Sequence, residues 1–317
     1  MLPIIDFSGA RAGDSAATAA IARDINAACL THGFFYLQNH GVPHDLIART
    51  VEQAQLFFRQ PLEEKLKAKV NMRHRGFNAL GDALMYGADK PDYKEFYSIG
   101  LELPETDPDV LAGQALRGPN NWPPGKPDFR AALSAYYEAL GACGSTLLRC
   151  VAQSLGVAPD FFVDKYQKRL QRTQIIYYPP QPPTLGDDQF GLAAHTDFGC
   201  ITLLWQDDNG GLELHDRASN TWIPAPPIPG TLVINVGDLL ARWTNDRYAS
   251  TPHRVRNKSG RERFSIATFY DPDYTATVDP RMLGITDAES HYEPTSAGDH
   301  ILGRIQRSFG YRTKAAE

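Results

Sequence analysis

Two segments of the sequence carry a histidine and an acidic residue in the His-x-acid spacing that metal sites use. They are residues 195–197 (His-Thr-Asp) and residues 291–293 (His-Tyr-Glu). A chain of 317 residues with 9 histidines and 37 acidic residues contains such pairs by chance, so the spacing alone is a weak indication. The first pair lies between apolar stretches typical of strands, whereas the second lies in a polar stretch that ends at Pro294. We therefore expect a site at the first pair and a solvated loop at the second.

His195 and Asp197 project together if they lie in or beside a strand, because residues i and i+2 share a face. Taken alone, a hydrogen-bonded pair at the rim of a sheet explains them equally well. His253 adds a third ligand, since it enters another apolar strand 56 residues after Asp197. Two histidines and one carboxylate form the facial triad that binds non-haem iron(II) for oxygen chemistry. Zinc is the rival metal, although the chain has no HExxH segment to supply the general base of a zinc hydrolase.

An arginine and a serine follow His253 at the start of another predicted strand, residues 263–271. Arg263 and Ser265 share a face of this strand, and a guanidinium beside a hydroxyl suits a carboxylate. An exposed strand arginine is the ordinary alternative. Combined with the triad, the pair predicts a ligand that is held on the metal at one end and by its carboxylate at the other.

As a set, these motifs resemble those of the iron(II)- and 2-oxoglutarate-dependent oxygenases of the isopenicillin N synthase-like family. His195, Asp197 and His253 match the family's HxD motif and distal histidine, and Arg263 with Ser265 matches its RxS motif. The resemblance covers nearly the whole chain and extends to residues 2–7, 33–42, 92–96 (Asp-Tyr-Lys-Glu-Phe), 235–239 (Asn-Val-Gly-Asp-Leu) and 242–247.

The resemblance implies a mainly β fold with flanking helices, a distorted double-stranded β-helix or jelly roll, with the site inside the barrel mouth. It implies that His195, Asp197 and His253 bind Fe(2+). It also implies that 2-oxoglutarate is the cosubstrate, used with O2, and that Arg263 and Ser265 bind its far carboxylate. The reaction would oxidise a small-molecule substrate and release succinate and CO2. Hydroxylation is the expected outcome, with desaturation or ring closure as alternatives.

Tyr178 is implied as a further hydrogen-bond donor to 2-oxoglutarate. It belongs to residues 176–179 (Ile-Tyr-Tyr-Pro), where many relatives carry Asn-Tyr-Tyr-Pro. Ile176 cannot give the amide hydrogen bond, so one cosubstrate contact is missing or replaced.

Four residues are candidates for contact with the substrate. Phe269 and Asp271 continue the inward face of the strand that carries Arg263, Gln174 lies on the same strand face as Ile176, and Phe198 is adjacent to Asp197 in the chain. Ordinary packing in the core or at its rim is the alternative for each. If Asp271 is inward and ionised, it suits a substrate with an amine or a hydroxyl.

Three other functions are compatible with parts of the pattern. An iron-dependent oxidase of the same fold would place another anion on Arg263 and would not form succinate. A non-catalytic binding protein on the same barrel would be expected to lack one of the metal ligands, and here all three are present. A zinc hydrolase would not consume oxygen.

The remaining sequence provides elements to position these residues. Helical periodicity dominates the first hundred residues, apart from a short strand over residues 33–37, and a long helix ends at Gly156. Eight short strands follow between residues 174 and 270, and a helix over residues 297–309 closes the chain. We expect one oxygenase domain over residues 1–317, divided into a mostly helical region 1–120, the long helix with the jelly-roll core over 121–275, and a C-terminal helical region 276–317.

Composition limits the partners and the compartment. The 32 basic and 37 acidic residues give a net charge of −5, so no basic excess points to nucleic acid or to an anionic membrane. No protein partner is indicated. The 4 cysteines form no CxxC pair, which predicts buried, reduced thiols. Without a signal peptide or an apolar run of membrane-spanning length, the chain is expected to be soluble and cytoplasmic.

Overall fold

The computed structural model describes residues 1–82, 90–181 and 190–308. In these ranges the helices are α1 (Ser8–Arg11), α2 (Ser15–Thr31), α3 (His44–Phe58), α4 (Leu62–Leu66), α5 (Pro108–Leu111), α6 (Pro127–Ser154), α7 (Asp238–Trp243) and α8 (Ala297–Ser308). The strands are β1 (Ile4–Asp6), β2 (Phe34–Gln38), β3 (Gly76–Asn78), β4 (Glu95–Gly100), β5 (Arg172–Tyr178), β6 (Leu192–His195), β7 (Ile201–Gln206), β8 (Leu212–Asp216), β9 (Thr221–Pro224), β10 (Thr231–Val236), β11 (His253–Val255), β12 (Arg263–Tyr270), β13 (Thr277–Val278) and β14 (Thr295–Ser296).

Two sheets form the core of the molecule. The main sheet has the strand order β1-β2-β10-β7-β12-β5-β4-β3, and the smaller sheet has the order β6-β11-β8-β9. All neighbours are antiparallel except β1 and β2. From β5 to β12, strands that follow one another in the chain alternate between the two sheets, apart from the β8–β9 hairpin, as in a jelly roll. The predicted double-stranded β-helix with flanking helices is confirmed.

The eight strands predicted between residues 174 and 270 are all present, because each is a short apolar run bounded by turn residues. The N-terminal region differs from the expectation. Besides its helices it contributes β1, β2, β3 and β4 to the main sheet, and only β2 was predicted. β1 and β3 have three residues each, which is too short to show a strand period. The C-terminal region likewise adds the small β13–β14 pair before α8.

Helices cover the outer side of the main sheet. Asp14 begins α2 by accepting hydrogen bonds from the backbone amides of Ala16 and Ala17, as its position in the sequence predicts. The apolar stripe of α6 packs against α2 and α3, and Phe129, Leu133 and Leu140 are fully buried there. All four cysteines are free and buried. No helix in the described ranges is long and apolar enough to cross a bilayer.

Candidate active site

His195 and His253 face each other across two paired strands. His195 ends β6 and His253 begins β11, and the two residues are directly opposite in the antiparallel ladder. Their ring centroids are 4.3 Å apart. Asp197 lies two residues beyond His195, and its Oδ1 atom is 3.7 Å from Nε2 of His195 and 3.8 Å from Nε2 of His253. The three predicted metal ligands therefore converge, with one ligand atom from each within 4.8 Å of the others.

The backbone fixes which nitrogen of each ring points into this cluster. Nδ1 of His195 is 2.9 Å from the carbonyl oxygen of Ala193, and Nδ1 of His253 is 3.2 Å from that of Thr251. A carbonyl only accepts, so each Nδ1 carries a proton and donates it there, and each Nε2 is directed toward Asp197. Two nitrogen lone pairs and a carboxylate oxygen form a donor set that fits iron(II).

Asp197 is held from behind by two hydrogen bonds. Its Oδ2 atom accepts from the hydroxyl of Thr202 at 2.6 Å and from the amide of Asn235 at 2.7 Å, which leaves Oδ1 for the cluster. Burial opposes a charge here, but His253, His195 and these two donors outweigh it and lower the pKa of Asp197. Burial, reinforced by the nearby His253, lowers the pKa of His195 to about 3, so its ring is neutral at physiological pH.

The segment after β10 supports the loop that carries Asp197. The backbone amide of Asp238 donates to the Asp197 carbonyl at 2.7 Å. A Cβ atom on Gly237 would lie 2.3 Å from the carbonyl oxygen of Gly199, so only glycine permits this approach.

The carboxylate of Asp238 joins the two sides of the ligand cluster. It accepts hydrogen bonds from the hydroxyls of Thr196 at 3.1 Å and Ser250 at 2.7 Å. Arg304 of α8 forms an ion pair with it at 2.9 Å. One carboxylate thus links the segment of His195 and Asp197 to the segment that leads into β11.

Arg263 lies fully buried beneath the same cavity. Its Nε atom donates to the Gly210 carbonyl at 2.6 Å, and its terminal nitrogens lie 3.3 Å from Ser265 Oγ and from Gln206 Oε1. Its guanidinium carbon is 4.7 Å from the centroid of the Tyr178 ring. Among the residues that the structure describes, no carboxylate forms an ion pair with Arg263. A buried guanidinium without an ion-pair partner is a site for an anion.

The register of β5 and β12 places the predicted residues in rows along one wall. Arg263 is opposite Tyr178, Ser265 is opposite Ile176, and further along Ala267 is opposite Gln174. All six line one cavity with the triad. The cavity encloses about 860 Å³, its mouth included, and its lining also contains Phe34, Phe96, Phe198, Leu204, Leu212 and Phe269. Three of the four predicted substrate residues, Gln174, Phe198 and Phe269, thus face this space.

Asp271 differs from its expected position. It is fully buried and lies outside the cavity lining. Its Oδ1 atom accepts from the backbone amide of Cys200 at 2.8 Å, and its Oδ2 atom is 3.6 Å from a terminal nitrogen of Arg172. The strand ends at Tyr270, so the alternation that would have turned Asp271 inward stops before it. Asp271 therefore lies behind Arg172 and does not contact the cavity, so the expected substrate contact of Asp271 is wrong.

Four residues of the site were given no role from the sequence, although Lys94 and Asn235 lie in segments that carry the resemblance. Thr202 and Asn235 hold Asp197, and Lys94 and Arg172 line the cavity. For Thr202, Asn235 and Arg172 the signal is a polar or charged residue inside a short apolar strand, which needs a buried partner. Lys94 lies just before β4, outside any strand.

Comparisons with known proteins agree with this geometry. Residues 2–125 match the family model described as non-haem dioxygenase in morphine synthesis N-terminal, and residues 170–272 match the 2OG-Fe(II) oxygenase superfamily. The 2-oxoglutarate-Fe(II) type oxidoreductase hxnY of Emericella nidulans is 36% identical over 99% of this chain and 93% of its own length.

Solved structures similar to this chain include complexes with alpha-KG. A full-length Neurospora crassa protein in complex with alpha-KG superposes with a TM-score of 0.85 at 28% identity, covering 96% of this chain and 95% of that one. The complex of the same protein with alpha-KG and thymine has a TM-score of 0.84 at 28% identity, with 96% of each chain covered. The relatives, the jelly roll and the converging His-Asp-His cluster together show that this chain belongs to the 2-oxoglutarate- and iron(II)-dependent oxygenase superfamily.

Proposed function

We propose that His195, Asp197 and His253 hold iron(II) in this enzyme. The observation that carries the assignment is the pair of backbone carbonyls on the two Nδ1 atoms, which direct both Nε2 atoms toward Oδ1 of Asp197. Thr202 and Asn235 keep Oδ2 of Asp197 engaged, so that one oxygen is presented to the metal. Three protein ligands on one side leave the opposite side open to 2-oxoglutarate and dioxygen.

We further propose that Arg263, Ser265 and Tyr178 bind the far carboxylate of 2-oxoglutarate. Arg263 is buried, and its guanidinium is held in a fixed orientation by Gly210, Gln206 and Ser265. A carboxylate in the cavity would supply the ion-pair partner that Arg263 lacks among the described residues. Ile176 occupies the row next to Tyr178 and offers only a methyl surface, so the polar contacts of 2-oxoglutarate are concentrated at the Arg263 end.

The reaction is the oxidation of a small molecule. When bound together, iron(II) and 2-oxoglutarate supply the oxidation, in which dioxygen is consumed and 2-oxoglutarate leaves as succinate and carbon dioxide. The protein positions the substrate and excludes water with the apolar side chains of Phe34, Leu204, Leu212 and Phe269. Gln174, Phe198 and Phe269 are proposed to contact the substrate. Hydroxylation is the proposed outcome.

The test is anaerobic reconstitution with iron(II) and 2-oxoglutarate, monitored by the visible metal-to-ligand absorption band of such complexes. We expect the band in the wild-type protein, its loss in His195→Ala, and a weaker affinity for 2-oxoglutarate in Arg263→Ala. Arg261→Ala is the matched control, because Arg261 is exposed two residues away. Absence of iron binding would contradict the triad assignment, and iron binding without the band would contradict the role of Arg263.

A further inference from the structure

A second guanidinium lies at the other end of the same pair of strands. On β5 and β12, Arg263 is opposite Tyr178 and Arg172 is opposite Phe269, six strand positions further along. At roughly 3.3 Å per residue, the two arginines are about 20 Å apart along the strands. Both line the cavity of the triad. The cavity therefore has one cationic group at its 2-oxoglutarate end and another at its far end.

Arg172 is held in place without using all of its hydrogen-bonding capacity. Its side chain is only 5% exposed, and its one ion pair within the described ranges, with Asp271, is 3.6 Å long, which is beyond a good hydrogen bond. The guanidinium carbon lies 4.9 Å from the centroid of the Phe269 ring. The Nε atom is buried and has no hydrogen-bond partner among the described residues. A buried cation with unused donors is a binding group for an acceptor on a ligand.

Lys94 repeats this arrangement at the Tyr178 end of the wall, because Glu95 is opposite Tyr177 and Gly100 is opposite Arg172 in the β4–β5 ladder. It lines the cavity, is 7% exposed and forms an ion pair with Asp92 at 3.1 Å. The carboxylate again lies outside the lining, where its other oxygen accepts from the backbone amide of Ala193. In both pairs the cation faces the cavity and the anion lies behind it. Among the described residues, Asp197 is the one carboxylate that lines the cavity, and it belongs to the metal cluster.

The distance from Arg172 to the triad limits the size of the ligand. Thr202, which donates to Asp197, is opposite Phe269, and Phe269 is opposite Arg172. Two strand spacings of roughly 4.8 Å place the backbone of Arg172 about 10 Å from that of Thr202. The space between a group bound to Arg172 and the metal cluster thus accommodates about one ring of the ligand. Phe198 and Phe269 line this part of the cavity with apolar surface.

We propose that Arg172 binds the carboxylate of a small substrate whose ring packs against Phe198 and Phe269. The inference rests on the proposed function, because it assigns the Arg263 end to 2-oxoglutarate. It names a substrate class: monocyclic carboxylic acids, oxidised at the end of the molecule that lies away from the carboxylate. Asp271 acts through Arg172, as a positioning residue.

The test uses the full-length protein with iron(II) and saturating 2-oxoglutarate under anaerobic conditions, so that the Arg263 end is filled and no turnover occurs. Benzoate, phenylacetate and cyclohexanecarboxylate are titrated by calorimetry against the corresponding amides, which have the same rings and no charge. The visible band is followed in the same samples. We expect the carboxylates to bind at least about tenfold more tightly than the amides, with the band retained.

Variants separate the role of Arg172 from that of the rest of the protein. Arg172→Gln should abolish the preference for carboxylates without weakening the visible band. Arg172→Lys should keep part of it, because the charge remains and the planar fork is lost. Arg149→Gln, on the exposed face of α6, should leave it unchanged. If Arg172→Gln does not fold, the Arg172→Lys variant carries the same comparison.

Several results would overturn the proposal. Equal or tighter binding of the amides would assign a neutral carbonyl ligand to Arg172. Failure of every carboxylate to bind protein that shows the band, or a preference that survives Arg172→Gln, would remove Arg172 from substrate recognition. Loss of the band on addition of a carboxylate would place the probe at the Arg263 end. Absence of the band before any probe is added would instead contradict the proposed function.

Discussion

The two His-x-acid segments of this chain have the same spacing and opposite surroundings. His195 and Asp197 have side chains that are 10% and 8% exposed, and their ligand atoms point at each other and at His253. His291 and Glu293 have side chains that are 60% and 88% exposed. Nδ1 of His291 is 3.0 Å from a carboxylate oxygen of Asp246, in a loop. The second segment is a solvated loop, as its polar flanks predicted.

The difference lies in what surrounds each pair. In the first segment a strand ladder brings a second histidine opposite the first, and backbone carbonyls select the nitrogen that faces the acid. In the second segment Glu293 lies 3.9 Å from Arg281, so its charge is already partly compensated at the surface. A metal site therefore needs pre-oriented lone pairs in a buried place, and the sequence spacing supplies neither.

The largest expected effect on iron(II) affinity comes from replacing Asp197, the acid of the first pair, and Glu293 of the second pair is its matched control. Asp197→Ala should lower the affinity for iron(II) by more than about 100-fold, beyond the loss typical of outer hydrogen-bond partners, because it removes the charged ligand. Glu293→Ala should leave the affinity unchanged. Anaerobic competition with a chromophoric chelator measures both. Retention of iron by Asp197→Ala would show that the triad is not the metal centre.

The next effect concerns the hydrogen bonds behind Asp197, which Glu293 lacks. Thr202→Val and Asn235→Ala should each reduce iron(II) affinity by about 10–100-fold, since Oδ2 of Asp197 loses a donor and the carboxylate can rotate. Thr202→Ser keeps the hydroxyl and is the control. The same chelator competition applies, and wild-type affinity in Thr202→Val would mean that packing alone orients Asp197.

A smaller effect, on the free energy of unfolding, is expected from replacing the further aspartate that each segment contacts, Asp238 for the first and Asp246 for the second. Asp238→Ala removes the acceptor of Thr196 and Ser250 and should lower the free energy of unfolding of the metal-free protein by about 1–2 kcal/mol. Asp246→Ala, beside His291, is the exposed counterpart and should cost less. Urea unfolding followed by circular dichroism gives both values. Equal losses would indicate that the Asp238 links do not stabilise the site.

The smallest effect is expected at His291 itself. His291→Ala should change the free energy of unfolding by less than about 0.5 kcal/mol, because exposed pairs of this kind contribute little. Iron binding and the visible band should be those of the wild-type protein. A reduced iron content in His291→Ala would mean that the second segment contributes a metal ligand.

The sequence was sufficient to predict those parts of the molecule that depend on local patterns of residues. The eight strands of the core, the long helix and the convergence of His195, Asp197 and His253 follow from short apolar runs, turn residues and motif order. Asp271 shows where local reasoning ends. Strand alternation placed it inward, but β12 ends one residue earlier and the Cys200 amide holds its side chain.

Arg172 and Lys94 were missed for a related reason. Their importance comes from facing one cavity while their acids lie behind them, and only tertiary packing creates that arrangement. The edge strands β1 and β3 were missed because three residues are too few to show a period. β4 has six residues and lies between β3 and β5, and it was also missed. The division into regions 1–120, 121–275 and 276–317 stays a prediction.

The pairing of β6 with β11 also determines when this protein can first bind its metal. His195 and His253 become neighbours only through a ladder that joins strands far apart in the chain, and such non-local pairs form late because loop closure precedes them. Iron(II) added during refolding should therefore bind in the slow phase of sheet assembly and not in the fast phase in which helices form. During synthesis, a ribosome-bound chain that stops before β11 would lack His253, the proposed third ligand, and would remain without metal.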